Sequence, residues 1–332
     1  MNSFGRLFRI SIWGESHGPA VGIVIDGCPA GVPLREEDFL ADLSRRRPGE
    51  VGTTRRHEAD VPQLLSGLFN GHTTGAPICL SFANEDVQSA PYETIRHTPR
   101  PGHADFTARQ KFGGFHDYRG GGHFSGRLTA GLVAAGVIAK KLLPDVQIEA
   151  DVISIGGKGE GEAELRAALA DRDSIGGIVE CRAMNVPLGL GEPFFDSVEA
   201  LIAHLAFSIP GVRGIEFGSG FACADMRGSE CNDNLQDVNG RTATNHAGGV
   251  NGGITNGNDL VFRVAVKPPS SIALPQQTID LKTGETRSIV LEGRHDACIA
   301  LRVPPILEAI CAVALADLTM IAGHIPRIWN DR

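Results

Sequence analysis

The sequence has few aromatic residues and no long apolar run. Phe, Trp and Tyr make up 6% of its 332 residues, so the stacking platforms that hold single-stranded nucleic acids are scarce. No run of 18 apolar residues lacks a charged side chain, which argues against a membrane span. Residues 1–13 lack the apolar run and small-residue cleavage site of a secretory signal. We therefore expect a cytoplasmic protein without a membrane partner.

Excess positive charge is also missing. The chain has 31 Lys and Arg against 39 Asp and Glu, a formal net charge of −8. Proteins that bind nucleic acids through bulk electrostatics are usually basic. We expect no nucleic-acid partner, and any cationic site must be a local concentration of charge.

Standard cysteine and nucleotide motifs are absent as well. The seven cysteines form no CxxC pair and their number is odd, which argues against a disulfide framework or a zinc knuckle. The chain has no GxxxxGK[ST] loop, GxGxxG fingerprint or HExxH helix. Residues 14–18 fit GxSxG literally, but a nucleophile elbow needs a strand before it and a helix after it. Here a strand follows Ser16, so we expect no hydrolase nucleophile. Because the cysteine and HExxH patterns of metal sites are absent, we also expect no metal site.

Apolar periodicity predicts an α+β fold. Helices and strands do not alternate as βαβ units, which disfavours a doubly wound parallel sheet. No linker divides the chain, so we predict one domain, residues 1–332. A His- and Gly-rich loop precedes a strand at 14–22 and again at 245–257, which leaves open an internal pseudo-repeat. Strands are predicted at 20–25, 78–82, 148–155, 177–182 and 260–267, and helices at 35–47, 125–143, 162–171, 197–207 and 304–322.

Glycine is abundant, at 42 residues without a period, and much of it lies in polar clusters. In the first cluster, residues 14–31, His17 stands between glycines and is open to a ligand, although a surface turn explains it too. The second contains Arg45, Arg46 and Arg47, followed by residues 55–57, RRH. It suits a phosphate or carboxylate, and equally a solvated helix end.

Two further clusters combine rigid loops with cations. In RHTPRPGHAD, residues 96–105, His103 could protonate a leaving group, or the segment could be a stiff surface loop. In DYRGGGHFSGRLT, residues 117–129, three glycines lead into a predicted helix, whose free N–H groups favour an anion. A flexible linker is the alternative for this segment.

The fifth cluster is spread over the C-terminal third. It comprises residues 245–249, 252–253, 267–271 and 293–296, where glycines accompany lysine, serine and arginine. This combination fits a second phosphate with an attached ring system. Together the clusters indicate an enzyme that binds one or two polyanionic small molecules and uses histidines as acids or bases. Composition and spacing do not define the reaction.

The five clusters, in this order, resemble those of the chorismate synthase family. The resemblance covers nearly the whole chain. It is carried by GESHGPAVGIVIDGCPAG at 14–31, RRRPG at 45–49, RPGHAD at 100–105, DYRGGG at 117–122, NHAGG at 245–249, KPPSS at 267–271 and GRHDAC at 293–298. Several separate motifs in the correct order make chance similarity a poor explanation.

The resemblance implies a 1,4-elimination of phosphate from 5-enolpyruvylshikimate 3-phosphate to give chorismate. The family requires reduced FMN without net redox change and serves the shikimate pathway to the aromatic amino acids. It implies catalytic roles for His17, at the flavin, His103, at the departing phosphate, and Asp296, as proton acceptor. The substrate residues would be Ser16, Arg46, Arg47 and Arg127. The cofactor residues would be His123, Phe124, Ser125, Gly252, Lys267, Pro268, Pro269, Ser270, Ser271 and Arg294.

The resemblance also implies architecture and partners. The family fold is a β-α-β sandwich in which two antiparallel sheets enclose helices, and the family assembles as a homotetramer. No insertion is long enough to add flavin reductase activity, so an external reductase using NADPH-derived equivalents is expected. Three local differences stand out. The common Arg-Ser-Ser-Ala-Arg-Glu-Thr segment is replaced at residues 123–129 by HFSGRLT, the connection after RRRPG is short, and GRHDP becomes GRHDA.

Two other functions remain open at this point. A diverged FMN-dependent lyase acting on another phosphorylated ring would explain the altered residues 123–128. A non-catalytic anion-binding or assembly protein would need neither His17 nor His103.

Overall fold

A computed structural model describes residues 2–54, 56, 58–159, 161–291 and 295–329. The helices within these ranges are α1 (Leu40–Arg46), α2 (Ala90–Thr94), α3 (Asp105–Lys111), α4 (Thr129–Lys141), α5 (Glu162–Ala170), α6 (Val198–Ala206), α7 (Gly228–Cys231) and α8 (Pro304–Ile321). The strands are β1 (Ser3–Phe4), β2 (Arg9–Gly14), β3 (Ala20–Asp26), β4 (Gln63–Ser66), β5 (Leu68–Phe69), β6 (His72–Thr73), β7 (Ile78–Ala83), β8 (Gln147–Ile155), β9 (Gly177–Met184), β10 (Val212–Phe217), β11 (Val250–Asn251), β12 (Ile254–Thr255), β13 (Leu260–Val266), β14 (Gln276–Ile279) and β15 (Thr286–Ile289).

The N-terminal half forms a five-stranded antiparallel sheet in the order β1-β2-β3-β7-β4. Strand β3 lies at its centre, and Val21, Ile23 and Ile25 are fully buried. Successive side chains of a strand point to opposite faces, so these three share one face. That face covers helix α4.

The second large sheet is also antiparallel, in the order β10-β13-β9-β8. Strand β13 buries Leu260, Phe262, Val264 and Val266 and leaves the intervening residues more exposed. The alternation read from the sequence is therefore confirmed for this strand. Helix α8 packs against β8 and β9 of this sheet.

Helices α4 and α8 pack against each other and link the two sheets. A β-carbon at Gly136 of α4 would lie 2.3 Å from Ala309 Cβ of α8, so glycine permits this close approach. By length and hydropathy α8 would suffice to cross a membrane, but 83% of it is buried inside the protein. Its apolar circumference is that of a central core helix.

The mixed α+β class with antiparallel sheets is confirmed, whereas two helix starts were predicted too early. The segment predicted as helix from residue 35 begins with a 3₁₀ turn, Glu36–Phe39, before α1. The segment predicted from residue 125 begins with an extended Ser125, whose Oγ accepts from the Arg127 backbone N–H. This cap starts a separate turn, Gly126–Leu128, ahead of α4. The turn carries Arg127 towards the cavity described below.

Candidate active site

Residues from all five polar clusters line one cavity of about 860 Å³, whereas residues 245–249 and 252–253 of the fifth cluster do not. It is bounded by the loop after β2, the segment after α1, the turns before α3 and α4, and the loops after β13 and before α8. Twelve of the residues singled out by sequence line it: His17, Arg46, His103, His123, Phe124, Ser125, Arg127, Lys267, Pro269, Ser270, Ser271 and Asp296. Residues far apart in sequence thus share one site.

Four other predicted site residues do not line the cavity. Ser16 is buried behind it, where its Oγ accepts a 2.8 Å hydrogen bond from Arg56. The Arg47 guanidinium donates to the Ala59 carbonyl. Pro268 is exposed, and Gly252 lies in the exposed turn between β11 and β12. Arg294, like residues 55 and 57 of the second cluster, lies outside the described residues.

One wall of the cavity is a buried cluster of two arginines and an aspartate. Arg46 Nη2 donates to Asp60 Oδ2 at 2.6 Å, and Arg127 Nη1 donates to Asp60 Oδ1. Burial lowers the pKa of Arg46 to about 10, so the side chain stays charged at neutral pH. Its Nε is buried without a hydrogen-bond partner within the described residues. This donor is therefore left for a ligand.

Asp296 lies beside this wall and is held by two donors. The Thr54 backbone N–H reaches its Oδ1 at 2.9 Å, and Arg302 Nη1 lies 3.3 Å from its Oδ2. Arg302 Nε also donates to the Arg46 carbonyl at 3.1 Å. The carboxylate is therefore fixed at the cavity wall by a backbone amide and a guanidinium group.

His103 belongs to a compact triad with Arg100 and Asp105. Its Nδ1 lies 2.6 Å from Asp105 Oδ1, and Arg100 donates to both oxygens of Asp105 at 2.7 and 2.8 Å. Burial opposes ionisation, but hydrogen bonds from Arg100 and His103 hold the pKa of Asp105 well below its usual range. An ionised Asp105 only accepts, so His103 Nδ1 carries a proton and Nε2 faces Gly121.

His17 occupies a different part of the cavity. Its Nδ1 lies 2.9 Å from Ser89 Oγ, and its ring meets Tyr92 edge-on with centroids 5.2 Å apart. A β-carbon at Gly120 would lie 2.4 Å from Nε2. Burial and the nearby Arg56 lower the pKa of His17 to about 4. The ring is therefore uncharged at neutral pH, when the cavity holds no added anion.

His123 stands where the family segment that the sequence resembles commonly has an arginine. Both of its ring nitrogens lie within hydrogen-bond distance of an oxygen. Nδ1 donates to the Gly14 carbonyl at 2.7 Å, and Nε2 lies 3.3 Å from Asn2 Oδ1. The residue also borders a second cavity of about 210 Å³, which adjoins the first. His123 thus ties the triple-glycine turn to the N-terminal segment and has no nitrogen to spare for an anion.

The loop after β13 forms a second wall of the cavity. Lys267 Nζ donates to the Gly102 carbonyl at 3.0 Å, and Ser270 Oγ donates to the same carbonyl at 2.8 Å. Arg100 Nη1 donates to Ser271 Oγ at 3.1 Å. Burial lowers the pKa of Lys267. The loops that carry His103 and Lys267 therefore form one connected surface.

Several residues of the cavity escaped the sequence analysis. Asp60 and Arg302 belong to no polar cluster, and only their positions in the fold bring them to the wall. Arg100 and Asp105 were part of the third cluster, and the Asp two positions after His103 was the available signal. Among the described residues, no group of three or more His, Cys, Asp and Glu side chains could hold a metal ion.

Comparison with known proteins identifies what this chain resembles. Residues 8–320 match a family model described as chorismate synthase. The chain is 59% identical to the chorismate synthase of Chitinophaga pinensis over the full length of both. It is 45% identical to that of Dehalococcoides mccartyi, covering 98% of this chain and 99% of the relative. A solved structure titled "Crystal Structure of Chorismate Synthase" matches with a TM-score of 0.73 at 26% identity, covering 96% and 93% of the two chains.

Proposed function

The chain belongs to the chorismate synthase family, whose members are carbon–oxygen lyases, and from this premise we propose its reaction and cofactor. It eliminates phosphate from 5-enolpyruvylshikimate 3-phosphate to give chorismate, with reduced FMN and no net redox change. One observation carries the proposal: the predicted catalytic histidines and Asp296 line a single cavity with a cationic wall. Phosphate is a good leaving group only when its charge is neutralised, which such a wall can do.

The residues present fit an anionic cofactor and substrate. Arg46 Nε is a buried donor without a partner among the described residues, and Gly120, which has a positive φ, lines the cavity without a side chain. Bound at this cavity, reduced FMN would supply electron density for the elimination. The residues that would hold it at this cavity are Phe124, Ser125, Lys267, Pro269, Ser270 and Ser271. His123 lines the same cavity beside them, and Arg294 lies outside the described residues. Gly252 and Pro268, also predicted for the cofactor, are not among the residues that line this cavity.

The proton steps are assigned to three side chains. In its doubly protonated form, His103 delivers the Nε2 proton to the departing phosphate and keeps the Nδ1 proton, which Asp105 holds. Asp296, held by Thr54 and Arg302, accepts a proton near the cofactor. His17 is neutral in the free protein, and an anion bound beside it favours its protonated form. Its charge thus becomes available only in the loaded site.

Arg46 and Arg127 hold the substrate anions, with Ser16 and Arg47 supporting the wall from behind. Arg56 joins Ser16 to this wall through its hydrogen bond. The cavity is exposed enough to admit a small molecule and contains cations on both walls. This distribution supports two anionic groups, one on each wall.

Assembly, location and architecture complete the proposal. We propose a cytoplasmic homotetramer that receives reduced flavin from a separate reductase. An oligomer would allow burial of Phe194 and Phe195, which are adjacent in sequence and strongly exposed. The packing of α4 and α8 between the sheets supports a single-domain β-α-β sandwich. The similar loops before β3 and β13 motivate an internal pseudo-repeat.

An anaerobic assay tests the function. Purified protein, chemically reduced FMN and 5-enolpyruvylshikimate 3-phosphate are mixed, and chorismate and free phosphate are followed together. Equal release of both products is expected. A diverged lyase for another phosphorylated ring, suggested by residues 123–128, predicts FMN binding without either product. A non-catalytic protein predicts that His17→Ala and His103→Ala change neither ligand binding nor phenotype.

A further inference from the structure

Asp60 combines an unfavourable backbone with a buried charge. Its φ is +51°, in the left-handed region that non-glycine residues enter at an energetic cost. Its side chain is completely buried. Strained residues of this kind persist only where the surroundings impose them, and they concentrate at functional sites.

The two oxygens of Asp60 hold two different arginines of the cavity wall. Oδ2 accepts from Arg46 at 2.6 Å, and Oδ1 accepts from Arg127. Burial alone would raise the pKa of Asp60, but the two guanidinium groups outweigh it and keep the pKa below its ordinary value. Asp60 is therefore an ionised bridge, because each of its two oxygens accepts a hydrogen bond from a different arginine.

Without this bridge the wall would lose its geometry. Arg46 and Arg127 are both nearly fully buried and carry like charges, and Arg302 adds a third nearby cation. Arg127 has other anchors, at the Ala83 carbonyl and Asn84 Oδ1. Among the described residues, the Arg46 side chain has only a 3.4 Å contact to the Thr129 hydroxyl besides Asp60, and its Nε has no partner there. Like-charge repulsion would therefore displace Arg46 most.

We propose that Asp60 is a positioning residue for the substrate: it fixes Arg46 and Arg127 as a rigid pair of donors for an anionic group of the phosphorylated ring. The inference rests on the proposed function, because it takes this wall as the substrate side of the cavity. Asp60 does not line the wall as an acid or a base. Both oxygens of its carboxylate accept hydrogen bonds from the two arginines, and Asp60 acts only through them.

Asp60→Asn is the first test, because asparagine tolerates the left-handed backbone and keeps the shape. Asp26→Asn is the matched control, since Asp26 also pairs with an arginine, Arg9, but on an exposed surface away from the cavity. Thermal unfolding of a separate sample first gives the folded fraction of each variant. Anaerobic turnover is then measured per folded protein. We expect the KM for 5-enolpyruvylshikimate 3-phosphate to rise roughly tenfold or more in Asp60→Asn, as for the loss of hydrogen bonds between charged groups. The kcat per folded protein should change far less, and the control should change neither.

Asp60→Gly provides a second test. Glycine relieves the positive φ and leaves space for a small carboxylate. Added formate should lower the KM of this variant towards the wild-type value, whereas in the wild-type protein formate competes with substrate and raises the KM. This opposite response is not expected of a residue that only stabilises the core.

The outcomes separate the two levels of inference. If the wild-type protein neither binds nor converts the substrate, the proposed function fails. If the wild-type protein is active and Asp60→Asn keeps its KM, the role of Asp60 is refuted while the function stands. Failure of both variants to fold, even in formate, would also overturn the proposal, because Asp60 would then be a residue of the core alone.

Discussion

His17 should make the free protein less stable as the pH falls below neutral. Its pKa is lowered from 6.5 to about 4, first by burial and then by Arg56. In the unfolded chain the ring binds a proton below about pH 6.5, whereas the folded protein excludes that proton until about pH 4. The unfolded state therefore binds more protons in this interval, and stability decreases as the pH falls through it.

The magnitude follows from the size of the shift. A change from 6.5 to about 4 corresponds to about 3 kcal/mol at 1.36 kcal/mol per unit. The ring is only half-buried, so solvent screens part of the effect, and we discount it to about 1–2 kcal/mol. This contribution is fully present at neutral pH and is lost by about pH 4.

The assay is urea unfolding followed by circular dichroism at pH 7 and pH 4.5. His17→Gln removes the titrating ring and retains a group that can hydrogen-bond Ser89. The wild-type protein should lose about 1–2 kcal/mol more stability than the variant between the two pH values. His72→Gln, at an exposed position outside the cavity, controls for the removal of a histidine. Parallel losses in the wild-type protein and His17→Gln would refute the reasoning.

Two further predictions concern the histidines of the cavity. Asp105→Asn removes the carboxylate that holds the His103 proton. In anaerobic assays kcat should therefore fall roughly 10²-fold, with a smaller change in KM. An unchanged kcat would contradict the role of the triad. Gly120→Ala places a β-carbon 2.4 Å from His17 Nε2 at a φ of +57°, so it should displace the ring and lower turnover roughly tenfold or more, as for a misplaced catalytic group. Gly49→Ala, with nothing within 4 Å, is its control, and equal activity in both variants would contradict the clash.

The elements with clear apolar periodicity were predictable from the sequence. Alternation identified β13, because one face of that strand is buried and the other is not. The central helix α8 was also predicted, and the structure buries its residues from Pro304 to Thr319 on all sides. Helix starts were less predictable: Ser125 caps a separate turn, and this depends on its extended backbone rather than on hydrophobic pattern.

The polar clusters of the cavity were predictable as motifs, but their partners were not. His103 could be singled out by its loop, whereas the ionised Asp105 that fixes its proton is defined by a 2.6 Å contact. Asp60 lies in no motif, and its importance comes from burial between two arginines of distant segments. Such pairings are set by tertiary structure. For the same reason, the sequence could not reveal that both nitrogens of His123 are already engaged.

The most direct test of the central claim is a crystal structure of the protein with FMN and 5-enolpyruvylshikimate 3-phosphate. The claim is that one cavity holds both molecules between its two cationic walls. We predict the substrate against Arg46 and Arg127, and the cofactor against the segments 123–125 and 267–271. Clear density for either molecule outside this cavity, with the cavity filled only by solvent, would contradict the claim.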